Sequence, residues 1–398
     1  MSRTAVIRAL LGSVLLLSSF IHPAVAGTRS VRVGLLRVHP PQQLRVGSEA
    51  PWQLRIAGQT VTMGAGGTVR LQVEGNRVAA FAGPRRFGAA AEVALIGGTP
   101  WRFGLRNGAR RYTGRLRISV LDGRLLPILT LPLDDYLQSV VADELPPNWP
   151  HVAIEAQAIA ARSYALAHFE RHGSDGYDFC DSTHCALFRG VGDRRAEVDR
   201  AVTATRGEVV LWHGRPIDAV WSAVCGGYTQ DNALVFGGAE RPYLRGGADR
   251  PAHGPDWCAA ATWHQPWRLA VTRPVLAQAL QRAGMLHTDE PLQYLRVTET
   301  GPGGLAVRVQ VTGSFSRSVS GYALWMALGP SLGWGDIASP DFAIAHTGDR
   351  YVFTGRGLGH GVGLCQWGAR GRALAGESVA RILAAYFPGT TLSRAPED

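Results

Sequence analysis

The sequence predicts an α+β fold in which a small β-rich N-terminal domain precedes a larger mixed α/β domain. Three observations carry this. Short apolar runs broken by glycine, proline and asparagine fill residues 28–111, an alanine-rich helical pattern spans residues 154–168, and strand-like and helix-like segments alternate from there to the end. With 398 residues, 46% hydrophobic and 18% charged, the chain has enough apolar material for sizeable cores.

The first element is read from its charge and length. Arg3 and Arg8 precede an apolar stretch, residues 9–20, which runs into Pro23-Ala24-Val25-Ala26-Gly27, a small-residue cleavage site. A signal peptide over residues 1–26 is expected, and with it export to the periplasm or the cell exterior. The apolar stretch is shorter than the roughly 20 residues of a spanning helix, so no integral membrane segment is expected after cleavage.

Residues 27–111 contain VRVGLLRV, WQLRIAG, TVRLQV and AEVALIGG, which read as strands joined by turns, with no catalytic signature. The larger domain is placed at residues 112–392, before a tail of 393–398. It opens with the strand-like YTGRLRISVL and RLLPILTLPL. Asn148 is a good N-cap, Pro150 suits a first helical turn, and Gly173 ends the alanine-rich helix. On that helix Ala156, Ile159, Ala160 and Leu166 suit close packing, whereas Gln157, Tyr164 and His168 fall near one another at helical spacing. Strands follow in GEVVLWHG and PIDAVWSAV, a helix over residues 274–283, and a hairpin from LRVTET and LAVRVQVTG. The end is a strand, a glycine-dense loop and a helix in YVFTGRGLGHGVGLCQWGARGRALAG, then a short helix in ESVARILAAYFPG.

All 41 basic residues are arginine, and the net charge is +10. Guanidinium groups pair bidentately with carboxylates and phosphates, so the surface suits an anionic partner, or is simply a solvated basic surface. No basic tract is interleaved with aromatics, which argues against nucleic acid.

Three motifs can carry chemistry. In LPLDDYLQSVVADELPPNWP, Glu144 ends an apolar run before a Pro-Pro kink; partial burial there would raise its pKa into the range of a general acid. The competing reading makes Asp143 and Glu144 ordinary solvated carboxylates. In GRGLGHGVGLCQWGA, six glycines between Gly355 and Gly368 let the backbone approach a ligand, and the main side chains left are Arg356, His360, Cys365, Gln366 and Trp367. The spacing is not a dinucleotide fingerprint. His360 is an acid/base candidate or a hydrogen-bonded turn histidine, and its pairing with Cys365 as a cysteine hydrolase lacks an orienting third group.

The third motif is YDFCDSTHCALFRG. In an exported chain, disulfides Cys180–Cys185 and Cys225–Cys258 are expected, leaving Cys365 as the odd thiol. Cys180, His184 and Cys185 also resemble a zinc cluster, with His172 or an aspartate as a fourth ligand, although the spacing is not that of a finger.

Together, LPLDDYLQSVVADELPPNWPHVAIEAQAIAARSYAL, SAVCGGYTQDN with RPYLRG after it, and GRGLGHGVGLCQWGARGRALAGESVARILAAYFPGT resemble the SpoIID/LytB family, named after stage II sporulation protein D and an amidase enhancer. The resemblance covers about residues 112–392. It implies a catalytic domain that cuts peptidoglycan glycan strands, stripped of stem peptides, as a lytic transglycosylase whose essential glutamate falls at Glu144. The acid protonates the glycosidic oxygen; as a base it then helps the muramoyl 6-hydroxyl close a 1,6-anhydro ring, so no second carboxylate is required. Gln157, Arg162 and Tyr164 match the family's helix, and His360 and Gln366 its glycine loop, as substrate-positioning and supporting groups. Some members bind zinc near the cysteine–histidine cluster. The other activity the resemblance implies is non-catalytic: holding glycan and stimulating a partner cell-wall amidase.

Overall fold

The computed structural model describes residues 29–105, 108–192 and 195–395. The expected signal peptide, residues 1–26, lies outside the described residues. Strands and helices are both abundant, as an α+β fold requires.

Period-two sequences build the N-terminal part. In Trp52–Ile56, for example, Trp52, Leu54 and Ile56 are buried while Gln53 and Arg55 face solvent. Thirteen strands form two sheets. The seven-stranded one runs in the order Phe179–Cys180, Ser30–Gly34, Arg124–Pro132, Arg115–Leu121, Glu92–Gly97, Trp52–Ile56, Gln59–Met63. The six-stranded one runs Gly108–Tyr112, Trp101–Leu105, Gln43–Ser48, Thr68–Glu74, Arg77–Ala82, Arg85–Ala90. Their inner faces share one core, in which Trp52 and Trp101 meet edge to face at 5.7 Å. Strands on both sides of residue 111 belong to these sheets, and Ser30–Gly34 pairs in parallel with Phe179–Cys180.

Helix α1, Leu133–Glu144, follows the last long strand directly. Asp134 and Asp135 in its first turn suit the positive end of the helix dipole. At its other end Arg195 donates to the carbonyls of Ala142 and Leu145, at 3.1 and 2.8 Å, satisfying groups the helix leaves open.

Helix α2, His151–Ala167, starts later than Asn148 suggested: Asn148 has φ +64°, and Pro150 occupies the cap position without a side-chain bond. The helix ends before Gly173, which opens a 3-10 turn instead. It is buried on nearly every side. Ala153, Ala158 and Ala161 pack into the sheet core, and Ala156, Ile159 and Ala160 into a second core shared with the C-terminal helices Gln366–Leu374 and Val379–Tyr386. Alanine on both faces lets elements approach closely from two directions.

A third core gathers the lobe of residues 267–355, where the helices Arg273–Arg282 and Gly321–Leu332 pack near the antiparallel strands Tyr294–Thr300 and Ala306–Thr312. No helix among the described residues is long and apolar enough to cross a membrane.

Candidate functional site

A cleft of about 550 Å³ opens where the three cores meet. Glu144, the last residue of α1, reaches into it, opposite Tyr164, His360 and Gln366. The third lobe contributes Tyr322, Trp325 and Trp334 from its helix and the turn after it, and Trp221 comes from the short strand Trp221–Ser222.

The Glu144 carboxylate is held from several sides. Trp221 Nε1 donates to its Oε2 at 3.1 Å, Gln366 Nε2 donates to the same oxygen at 3.4 Å, and the Leu187 amide also donates to the carboxylate. Burial nevertheless dominates and holds this carboxyl above its ordinary pKa, against the hydrogen bonds from Trp221, Gln366 and Leu187. Its place at a helix C-terminus, the negative end of the dipole, works in the same direction. Neighbouring Asp143 turns elsewhere and accepts from the Arg189 amide at 2.8 Å, tying α1 to the loop that carries Leu187.

The glycine-rich loop is positioned by its own backbone. Leu364–Cys365 pairs in parallel with Trp221–Ser222, and Leu358 bridges Val224. Gly357 and Gly363 have positive φ, and a Cβ on either would fall 2.7 Å from the Val224 carbonyl oxygen or 2.3 Å from that of Val220. Contrary to the expectation that these glycines admit a ligand, at both positions they admit the 220–224 segment, and so bring Trp221 and Gln366 to one wall.

His360 lines the cleft, but its ring is committed: Nδ1 accepts from the Val362 amide at 3.1 Å, and a further hydrogen bond joins it to the Trp221 backbone. Desolvation pulls its pKa down to about 4, so it is neutral at physiological pH and shapes the loop. Tyr164 also lines the cleft; its ring meets Trp221 edge to face at 5.6 Å, and its hydroxyl accepts from Arg171 at 2.8 Å.

Gln157 is buried behind this wall, where its Oε1 accepts from Gln366 Nε2 at 3.4 Å. Arg162 does not reach the cleft. It is 2% exposed, with its guanidinium on Asp134 and on the carbonyls of Val202, Thr205 and Glu208. Sequence reading missed Trp221, Tyr322, Trp325 and Trp334. The available signal was the aromatic spacing in GYALWMALGPSLGW, with Tyr322 and Trp325 one helical turn apart.

The disulfide expectations are corrected. Cys180 and Cys185 Sγ lie 3.4 Å apart, and Cys225 and Cys258 Sγ 3.7 Å, well beyond the roughly 2.05 Å of an S–S bond; all five cysteines are free. Cys180 and Cys185 instead converge with two histidines. His184 Nδ1 lies 3.6 Å from each sulfur, and His172 Nε2 3.4 Å from Cys185 Sγ. Ligands about 2.3 and 2.05 Å from a tetrahedral zinc would be separated by roughly 3.5–3.8 Å, so the two thiols and two imidazoles fit that ion in number, chemistry and spacing. Asp175 Oδ2 lies 3.9 Å from His172 Nδ1, beyond hydrogen-bond reach. His172 is thus the fourth donor that spacing alone left open.

These features agree with comparisons against known proteins. The family model described as SpoIID, stage II sporulation protein, matches residues 122–212. Stage II sporulation protein D of Bacillus subtilis is 25% identical over 285 residues, 67% of this chain and 75% of that protein. The amidase enhancer of the same organism is 26% identical over 294 residues, 65% of this chain but only 40% of that protein. An uncharacterized protein of Brachyspira hyodysenteriae is 29% identical over 282 residues, 71% of this chain and 72% of the relative. The chain is thus similar to proteins of the SpoIID/LytB family, through the model match over residues 122–212 and through these relatives.

Proposed function

We propose that this is an exported cell-wall protein that cleaves peptidoglycan glycan strands as a lytic transglycosylase, with Glu144 as the general acid and then base. The observation that carries the reading is a single carboxyl, raised in pKa by burial, at the bottom of an aromatic-walled cleft. A protonated Glu144 gives its proton to the glycosidic oxygen as the bond to the muramoyl C1 breaks. The carboxylate left behind is stabilised by Trp221 and Gln366, and it then accepts the proton of the muramoyl 6-hydroxyl as that oxygen closes on C1. The internal hydroxyl replaces the attacking water, which is why one carboxylate suffices.

Tyr322, Trp325 and Trp334 offer flat apolar faces for pyranose rings, and the arginine-rich surface suits an anionic wall polymer. Zinc held by His172, Cys180, His184 and Cys185 would supply a structural cross-link. The chain's own residues do the rest: Cys185 and Ala186 line the cleft, and the following Leu187 amide bonds the Glu144 carboxylate.

The test is incubation of the purified protein with peptidoglycan freed of stem peptides, followed by mass spectrometry for 1,6-anhydro-muramoyl ends. Wild type is expected to release them and Glu144→Gln to lose at least a hundredfold in rate, the scale of general acid–base catalysis. An inactive wild type that binds the same glycan and accelerates a wall amidase would support the second reading, which similarity to the amidase enhancer favours.

A further inference from the structure

Behind the cleft wall, four more potential ligands converge on one point: Cys225, Asp249, Cys258 and Cys365, all buried, with one donor atom of each within 4.8 Å of all the others. Cys225 Sγ lies 3.7 Å from Cys258 Sγ and 3.4 Å from Asp249 Oδ2. Three thiolates and one carboxylate oxygen around a tetrahedral zinc would be spaced by roughly 3.8 Å between sulfurs and roughly 3.5 Å between sulfur and oxygen. We propose that Cys225, Cys258, Cys365 and Asp249 form a second, structural metal site for a thiophilic divalent cation, zinc being the best fit.

The surroundings suit bound thiolates. The amides of Cys225 and Gly368 donate to Cys365 Sγ at 3.2 and 3.3 Å, and the Gly227 amide donates to Cys258. N–H groups aimed at sulfur stabilise the deprotonated, metal-bound form. The carboxylate is oriented too: Tyr386 donates its hydroxyl to Asp249, 3.0 Å from either oxygen, and Arg372 Nη2 lies 3.2 Å from Oδ1, leaving Oδ2 toward Cys225. Gly368 makes the space, since a Cβ there would fall 2.3 Å from Asp249 Oδ2. Three thiolates and a carboxylate around a dication leave two negative charges, which Arg372 and the amides offset. The thiol protons go to solvent when the metal binds.

A disulfide would use two of these sulfurs and leave the third thiol and the carboxylate crowded against it without a role. A metal uses all four. It would join the turn after Trp221–Ser222, the segment holding Asp249 and Cys258, and the start of the helix Gln366–Leu374. Cys365 precedes Gln366, whose amide bonds Glu144, so the ion would fix the wall of the cleft whatever reaction the cleft performs.

Metal content of the full exported chain, purified without chelator, tests this. Wild type is expected to carry two zinc ions per chain by plasma mass spectrometry. A His172→Ala/Cys185→Ala variant should keep one, and adding Cys258→Ala should remove it. Because those variants can misfold, a second measurement uses wild type alone: native iodoacetamide labelling mapped by peptide mass, with and without a zinc chelator. Cys225, Cys258 and Cys365 are expected to be protected until the chelator is added, and to give thiolate-to-cobalt charge-transfer absorption when Co(II) replaces zinc. An intact mass two hydrogens light at a Cys225–Cys258 peptide, or labelling unaffected by the chelator, would overturn the site.

Discussion

Trp221 donates its indole N–H to Glu144 Oε2 across 3.1 Å, joining a two-residue strand to the final residue of α1. This bond favours the ionised carboxylate, while burial favours the protonated one and prevails. Trp221→Phe keeps an aromatic ring and removes the donor. A hydrogen bond to a charged group is worth about 1.5–3 kcal/mol, so kcat/KM is expected to fall roughly 10- to 100-fold. Without the donor Glu144 holds its proton more tightly, so the alkaline limb of the pH–rate profile should move to higher pH. Anhydro-product formation across pH measures both effects, and a limb displaced to lower pH would contradict this account.

Gln157 holds Gln366 from behind the cleft wall. Its Oε1 accepts from the Gln366 amide that also reaches Glu144, and it is 1% exposed. Gln157→Leu removes the acceptor and frees Gln366 to turn away. The expected outcome is a kcat lowered about tenfold with KM nearly unchanged. A raised KM at constant kcat would instead place Gln157 in contact with the glycan.

Arg162 is a keystone of packing. Its guanidinium lies 3.3 Å from Asp134 and donates to three backbone carbonyls, bridging α1, α2 and the segment of residues 202–208. Arg162→Ala leaves Asp134 with the solvent-facing Arg206 and takes one donor away from each of the three carbonyls. Losing one partner of a buried pair costs about 3–5 kcal/mol, so urea denaturation should show a loss of that order or little soluble protein. An Arg162→Ala variant of unchanged stability but weakened glycan binding would restore the substrate role that the family resemblance implies.

The proposed zinc at the first cluster predicts a graded outcome. Cys185→Ser removes one thiolate and should lower zinc content measured after dialysis. It should also loosen the loop that supplies the Leu187 amide to Glu144. Activity is then expected to fall several-fold, with limited proteolysis increasing within residues 180–190. A variant with full metal content and unchanged proteolysis would remove the cross-link from the account.

Much of this was legible in sequence because local rules sufficed. Alternation marked the strands, alanine and helix formers marked α2, and the glycine spacing marked the loop before Gln366. Glu144, Tyr164, His360 and Gln366 do meet in one cleft. What escaped depends on distant contacts. LDDYLQSVVADE read only as an apolar run, yet it forms α1 because its buried face packs on the sheet core. Arg162 entered only as a match to the family's helix, and the partners contributed by residues 134 and 202–208, distant in sequence, make it a core residue. Cys225 and Cys258 invited pairing with Cys365 left as the odd thiol, whereas convergence of all three with Asp249 exists only in the folded chain.

Asp341 gives the fold a pH dependence apart from the cleft chemistry. Burial lifts its pKa to about 7, with Arg356 as the opposing attraction. An unfolded aspartate titrates near 3.9. Below about pH 4 the group is neutral in both states and makes no difference. As pH rises toward 7 the unfolded chain gives up its proton freely, while the folded chain must ionise a desolvated carboxyl, so stability falls across that window and stays reduced above it. Asp341→Asn removes the ionisation with little change in shape. The variant is expected to be about 1–3 kcal/mol more stable than wild type at pH 8, the difference shrinking toward zero near pH 4. Paired urea titrations at pH 4.5, 6 and 8 measure it. A constant offset at all three would mean that a lost contact, and not the proton, separates the two proteins.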